Sequence, residues 1–216
     1  MTDMKKATVA KSGNIITPKG RLSYAQYLEK PNKNKKTGAE KYQLSILMPG
    51  DVDLVELKNA MGKIAISNVN GDQTRAKKLV EKRFLDPNDL PQGGKPAGPQ
   101  FEGWILVRAS SDYKPKFAYP NGTSIPDEEI QKELYSGRWA RATLNPYWSN
   151  NDENPGVFLG LQNVQLLDHD ENMGVRLPDA EEEFDAVDGV DAGSGSAPQN
   201  DSSNAAGDSD VDKMFG

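Results

Sequence analysis

Two tryptophans, two tyrosines and two arginines fall within one short stretch, Leu134 to Trp148 (LYSGRWARATLNPYW), with no acidic side chain among them. Rings beside guanidinium groups suit a stacked, charged polymer, because bases offer flat π-faces and their backbone offers phosphates. Read as a strand, the stretch alternates. Trp139, Arg141, Thr143, Asn145 and Tyr147 share one face, and Arg138, Ala140, Ala142 and Leu144 share the other. After Arg138 the second face is small and apolar enough to lie on a core. The same pattern also describes an ordinary half-buried strand, since sheets favour aromatic residues for packing alone.

The wider chain weighs toward the first reading. Ten of the sixteen aromatic residues fall between Phe101 and Phe158, interleaved with Arg108, Lys114, Lys116, Arg138 and Arg141. Trp104, Trp139, Tyr147 and Trp148 are the expected stacking platforms, with Phe101, Phe158 and Tyr135 expected in the core. Tyr27, on the same face as Arg21, and the loop lysines Lys33, Lys35 and Lys36 extend the candidate surface. Such a surface tracks a phosphate backbone without reading sequence.

The residues that catalysis would need are sparse. The chain has no cysteine and one histidine, His169, in the polar run LLDHDEN, where a solvated loop residue is expected. No Gly-rich phosphate loop and no Gly-x-Ser-x-Gly elbow occurs. Asp51 with Asp53, or Asp168 with Asp170, could hold Mg²⁺ in a nuclease, but helix capping and turn formation explain both pairs more simply. No enzyme activity, cofactor or metal is expected.

The elements that must position the aromatic residues are short. RLSYAQYL reads as a strand, EKPNKNKKTGAEK as a polar hairpin connection, and YQLSILMP as a half-buried strand. Asp51 opens a helix carrying Leu54, Leu57, Met61 and Ile64, and Thr74 a second, TRAKKLVEKRF, with a basic outer face. The run DPNDLPQGGKPAGPQ is a loop. FEGWILVRAS is a strand with Ile105, Val107 and Ala109 on one side and Trp104, Leu106 and Arg108 on the other. A short helix over Ser124–Glu133 and a buried strand VFLGLQNVQLL complete the body. The fold class expected is mainly β with inserted helices, an OB-type, partly open barrel. An α+β sheet with helices on one face is the alternative.

Charge divides the chain. The formal net charge is -6, but from Leu177 onward there are eleven acids and one base, leaving 21 acids and 25 bases before it. The body is thus near +4 and the tail near -10. Residues 1–176 are expected to form the binding domain and 177–216, rich in Gly, Ser and Asp, a disordered acidic tail. No apolar run reaches membrane-spanning length and the start lacks a signal-peptide core, so a cytoplasmic protein is expected.

With its Lys-rich first third, LYSGRWARATLNPYW, the GVFLGLQNVQLL strand and an acidic end in DVDKMFG, the chain resembles the single-stranded DNA-binding proteins of tailed bacteriophages. The resemblance implies an OB fold that sheathes single-stranded DNA in replication, recombination and repair, in the host cytoplasm, with self-association on DNA open. It also implies a tail that recruits replication proteins such as polymerase and helicase. Asp208, Asp210, Asp212, Met214 and Phe215 match that hook, although Gly216 follows the aromatic residue here. A strand-annealing recombination protein needs the same surfaces. The tethered tail is further expected to compete with DNA phosphates for the basic body.

Overall fold

The computed structural model describes residues 4–34, 37–91, 95–150 and 154–174. In chain order these form β1 (Thr8–Val9), β2 (Ile15–Ile16), β3 (Gly20–Ser23), α1 (Gln26–Glu29), β4 (Asn32–Lys33) and β5 (Glu40–Met48). Then come α2 (Val55–Asn68), α3 (Gln73–Glu81), β6 (Phe84–Leu85), a 3-10 turn at Pro99–Phe101, and β7 (Ile105–Ser111). The body ends with β8 (Lys116–Ala118), α4 (Asp127–Glu133), β9 (Trp139–Ser149) and β10 (Gly156–Leu166). The chain divides at Arg176/Leu177, and the second unit, Leu177–Gly216, lies outside the described residues.

Five strands close on themselves in the order β9-β3-β5-β7-β10 and back to β9. The β3, β5, β9 and β10 seams are antiparallel, whereas β7 meets β10 in parallel through the single pair Gly160↔Ser110. The β7–β10 seam is the loose one, so the barrel is only partly closed, as expected of an OB-type fold. Gly20 opens β3 where a Cβ would lie 2.5 Å from the Leu47 carbonyl oxygen, so the first crossing of the barrel needs a residue without a side chain.

Alternation decides which side chains fill the interior. Leu44, Ile46 and Met48 of β5, Val107 and Ala109 of β7, and Ala140, Ala142 and Leu144 of β9 point inward and are buried. On β10 the inward set is Val157, Leu159 and Leu161, then Val164 and Leu166. The parity changes because the register shifts between Leu161 and Asn163, an extra residue that keeps both halves on the core. Helix α2 packs on β9 and β10 with Leu57, Met61 and Ala65 buried, and α3 lies beside it.

Three local expectations are corrected. RLSYAQYL is strand only to Ser23; Tyr24 adopts φ 54° and the chain turns into α1. Asp51 does not cap α2. Its carboxylate pairs with Lys5 at 2.6 Å, and the Asp53 side chain instead accepts the Val55 N–H at 2.9 Å. Helix α3 begins one residue earlier than expected, with Asp72 as its cap accepting the Arg75 N–H.

Candidate nucleic-acid interface

The outer face of β3, β5 and β7 floors a groove, because the residues between the buried ones must point out. Two adjoining hollows of about 880 and 580 Å³ share Tyr24, Ser45, Leu90, Lys95 and Arg108. Ser45 and Arg108 face each other across β5 and β7 at its centre. Leu90, Lys95, Pro96 and Ala97 wall one side of it, tied down by the Gly98 N–H donating to Asn88 at 2.9 Å and the Ala97 N–H donating to the Pro87 carbonyl.

Two tryptophans stand beside one end of the groove, against its lining residues Phe101 and Arg21. Trp104 stands edge-on to buried Phe101 at 5.0 Å and lies 6.1 Å from Trp139, tilted 36°. Trp139 sits beside Arg21 in the β3–β9 ladder, with the Lys19 ammonium 4.5 Å from its ring. The other end carries Tyr27, stacked on Tyr24 at 6.3 Å, and Phe158, which lies under the Arg83 guanidinium at 3.8 Å. Arg83 also donates from Nε to the Val157 carbonyl at 2.7 Å, and its burial pushes its pKa below the ordinary arginine value. Tyr147, 37% exposed, stacks on Phe158 at 6.0 Å. Among the described residues, this end is lined by Lys82, Arg83, Lys95 and Arg108 and by no carboxylate.

The candidate residues thus separate. Tyr27 and Arg108 line the groove, and Trp104, Trp139 and Tyr147 flank its ends. Lys33 is exposed on the β4–β5 hairpin, and Lys114 and Lys116 are exposed at β8, outside the groove lining, with Lys114 3.5 Å from Asp127. Arg141 bonds Gln165 at 2.6 Å on the β9–β10 side of the barrel. Lys35, Lys36, Asp208, Asp210, Asp212, Met214 and Phe215 lie outside the described residues.

Several expectations fail on burial. Arg138 is 2% exposed, ion-paired to Glu133 and donating to the Leu167 carbonyl at 3.2 Å, so it ties α4 to the end of β10 and cannot reach a ligand. Trp148 packs against the core, sharing the inward parity of Leu144, and its indole N–H donates to Asn150. Phe158, expected in the core, is half-buried on the outward face. Tyr135 is also half-buried, with its hydroxyl 3.1 Å from His169 Nδ1. Lys19, Arg21, Tyr24, Lys82, Arg83 and Lys95 join the interface beyond the residues expected there; Lys82 and Arg83 close the basic run TRAKKLVEKRF, just past the end of α3.

The imagined metal pairs hold other partners. Asp51 and Asp53 are engaged as described above; Asp168 pairs with Lys19 at 2.5 Å, and Asp170 accepts the Trp139 indole N–H at 2.7 Å. Among the described residues no cluster of three His, Cys, Asp or Glu could hold a metal ion, and no helix is long and apolar enough to cross a membrane.

Residues 13–193 match the family model described as the ssDNA-binding protein of Enterobacter phage Enc34. The single-stranded DNA-binding protein from bacteriophage Enc34, solved in complex with ssDNA, is 25% identical, with a TM-score of 0.61 over 79% of this chain and 94% of that one. A second structure of that phage protein aligns at 25% identity and a TM-score of 0.59, covering 84% and 95%. The comparison with curated proteins gave no match.

Proposed function

We propose that this chain, which belongs to the family of the Enterobacter phage Enc34 ssDNA-binding protein, is a phage protein that binds single-stranded DNA without sequence preference. The observation that carries the reading is the groove. It has rings at both ends, cations between them, and a strand floor whose serines and backbone suit any base. Stacking needs unpaired bases, so single strands are the expected ligand rather than duplex. The solved complex of the Enc34 protein with ssDNA supports the same ligand.

The finer roles follow from the binding mode. A non-catalytic protein that coats single strands serves replication, recombination and repair in the host cytoplasm. Its acidic end, through Asp208, Asp210, Asp212, Met214 and Phe215, is a hook for replication proteins such as polymerase or helicase. Strand annealing would use the same groove. A body near +4 tethered to a segment near -10 offers DNA a weakened field, so a chain ending at Pro178 should bind more tightly at low salt.

Titration of oligo-dT and of duplex of equal length, with and without Mg²⁺, tests the reading. Single strands should win, with a log–log salt slope of about -0.7 per phosphate neutralised. Equal affinity for duplex overturns it, and Mg²⁺-dependent cleavage of the probe replaces it with the nuclease.

A further inference from the structure

The tryptophan end of the groove is already occupied. After β10 ends, residues 168–174 turn back across it. Asp168 pairs with Lys19 at 2.5 Å, and Asp170 accepts the Trp139 indole N–H at 2.7 Å with Arg21 Nη2 at 3.4 Å. The Glu171 carbonyl accepts Arg21 Nη2 at 2.9 Å. Glu171 is the one acid among the described residues lining that half of the groove. The seat is shaped for the segment: Gly137 has φ 104°, and a Cβ there would lie 2.1 Å from the Glu171 carbonyl oxygen.

We infer that Lys19, Arg21 and Trp139 form a nucleotide subsite which the segment Asp168–Gly174 covers as a strap, its carboxylates standing where a strand's phosphates go. The inference rests on the single-strand reading and names how one end of that site is regulated. Carboxylate and phosphate compete for the same ammonium, guanidinium and indole donors. Exchange is favoured on the carboxylate side, which is open to water: the Asp168 side chain is 69% exposed and the Asp170 side chain 36%, against 30% for Lys19 and 14% for Arg21. Such pairs contribute little to folding. Few backbone bonds hold the strap, chiefly Trp139 N–H to Asp168 at 3.2 Å and Met173 N–H to Ser136 at 2.8 Å. Short oligonucleotides can fill the open, cation-lined end and leave the strap closed. Longer strands gain Trp139 only by lifting it.

The test uses the full chain and oligo-dT of increasing length. The double variant Asp168→Asn/Asp170→Asn keeps the side-chain shapes and removes the charges. It should bind long oligonucleotides about three- to thirty-fold more tightly at low salt, the factor expected for two exposed ion pairs released from competition. The gain should vanish at high salt and be absent for the shortest oligonucleotides. As a second readout on the unaltered chain, the Asp170 and Met173 amides, which donate to Tyr135 Oη and the Ser136 carbonyl, should exchange faster when long DNA saturates the protein. If both proteins bind all lengths alike, or those amides become protected, the strap is structural and the inference fails. If the unaltered chain binds no single strand, the functional reading fails with it.

Discussion

Trp104 of the segment before β7 and Trp139 of β9 lie with ring centroids 6.1 Å apart, tilted 36°, although β3 and β5 separate their strands around the barrel. They form one composite surface. Trp104→Ala and Trp139→Ala should each weaken binding of long oligo-dT by about 1–3 kcal/mol. The double variant should lose less than the sum, because the rings share a site. A double-mutant cycle by fluorescence or filter binding measures this; strict additivity would separate the two rings. Trp148→Phe should leave affinity unchanged, since Trp148 faces the core.

Arg138 gives a test that separates folding from binding. Removing it by Arg138→Ala strands the Glu133 carboxylate and frees the end of α4, which should cost about 3–5 kcal/mol in urea unfolding. Affinity per folded molecule should not change. A normal melt with weakened DNA binding would return Arg138 to the interface.

Arg108 should behave in the opposite way. It is exposed at mid-groove and lines both hollows. Arg108→Ala should leave thermal stability within ~0.5 kcal/mol, as surface changes do, while flattening the salt slope by about 0.7. An unaltered slope would show that no phosphate sits there.

The Arg83–Phe158 pair joins both effects. Arg83→Leu loses a cation–π contact and the bond to the Val157 carbonyl, and should destabilise the domain by roughly 1–3 kcal/mol. It should also weaken short oligonucleotides, which use this end. Selective loss for long ones alone would contradict the assignment.

Asp170 predicts a pH dependence. The Glu171 backbone N–H, then the Trp139 indole, hold its carboxyl below the ordinary carboxylate range, with burial opposing and Arg21 and Lys19 assisting. A lowered folded pKa contributes stability that is present above the unfolded value, about 3.9, and is lost as pH falls through the folded value. The melting difference between wild type and Asp170→Asn should therefore be flat from about pH 7 to 5 and shrink below about 4. A difference that changes between pH 7 and 5 points to another group.

What was legible in the sequence is what a strand or helix decides locally. Alternation alone placed Trp139 and Arg141 opposite Ala140, Ala142 and Leu144, and Trp104, Leu106 and Arg108 opposite Ile105, Val107 and Ala109, because side chains of a pleated strand take turns. Carried four residues past Leu144, the same rule puts Trp148 on the core side, against the stacking role expected of it, and the core is where it packs. The apolar run of β10 carried no such signal: Val157, Phe158 and Leu159 are all hydrophobic, so only the Phe158↔Tyr147 pairing shows which one faces out. Alternation set Arg138 on the core-side face, opposite Arg141, but a charged side chain at the start of that face gave no sign of burial, which comes from the end of α4 and Leu167 converging on its guanidinium. Nor could the strap be foreseen. Lys19, Arg21 and Asp170 meet only because β3 closes on β9 and β10 ends beside them, and closure of a barrel is a property of the whole chain rather than of any segment.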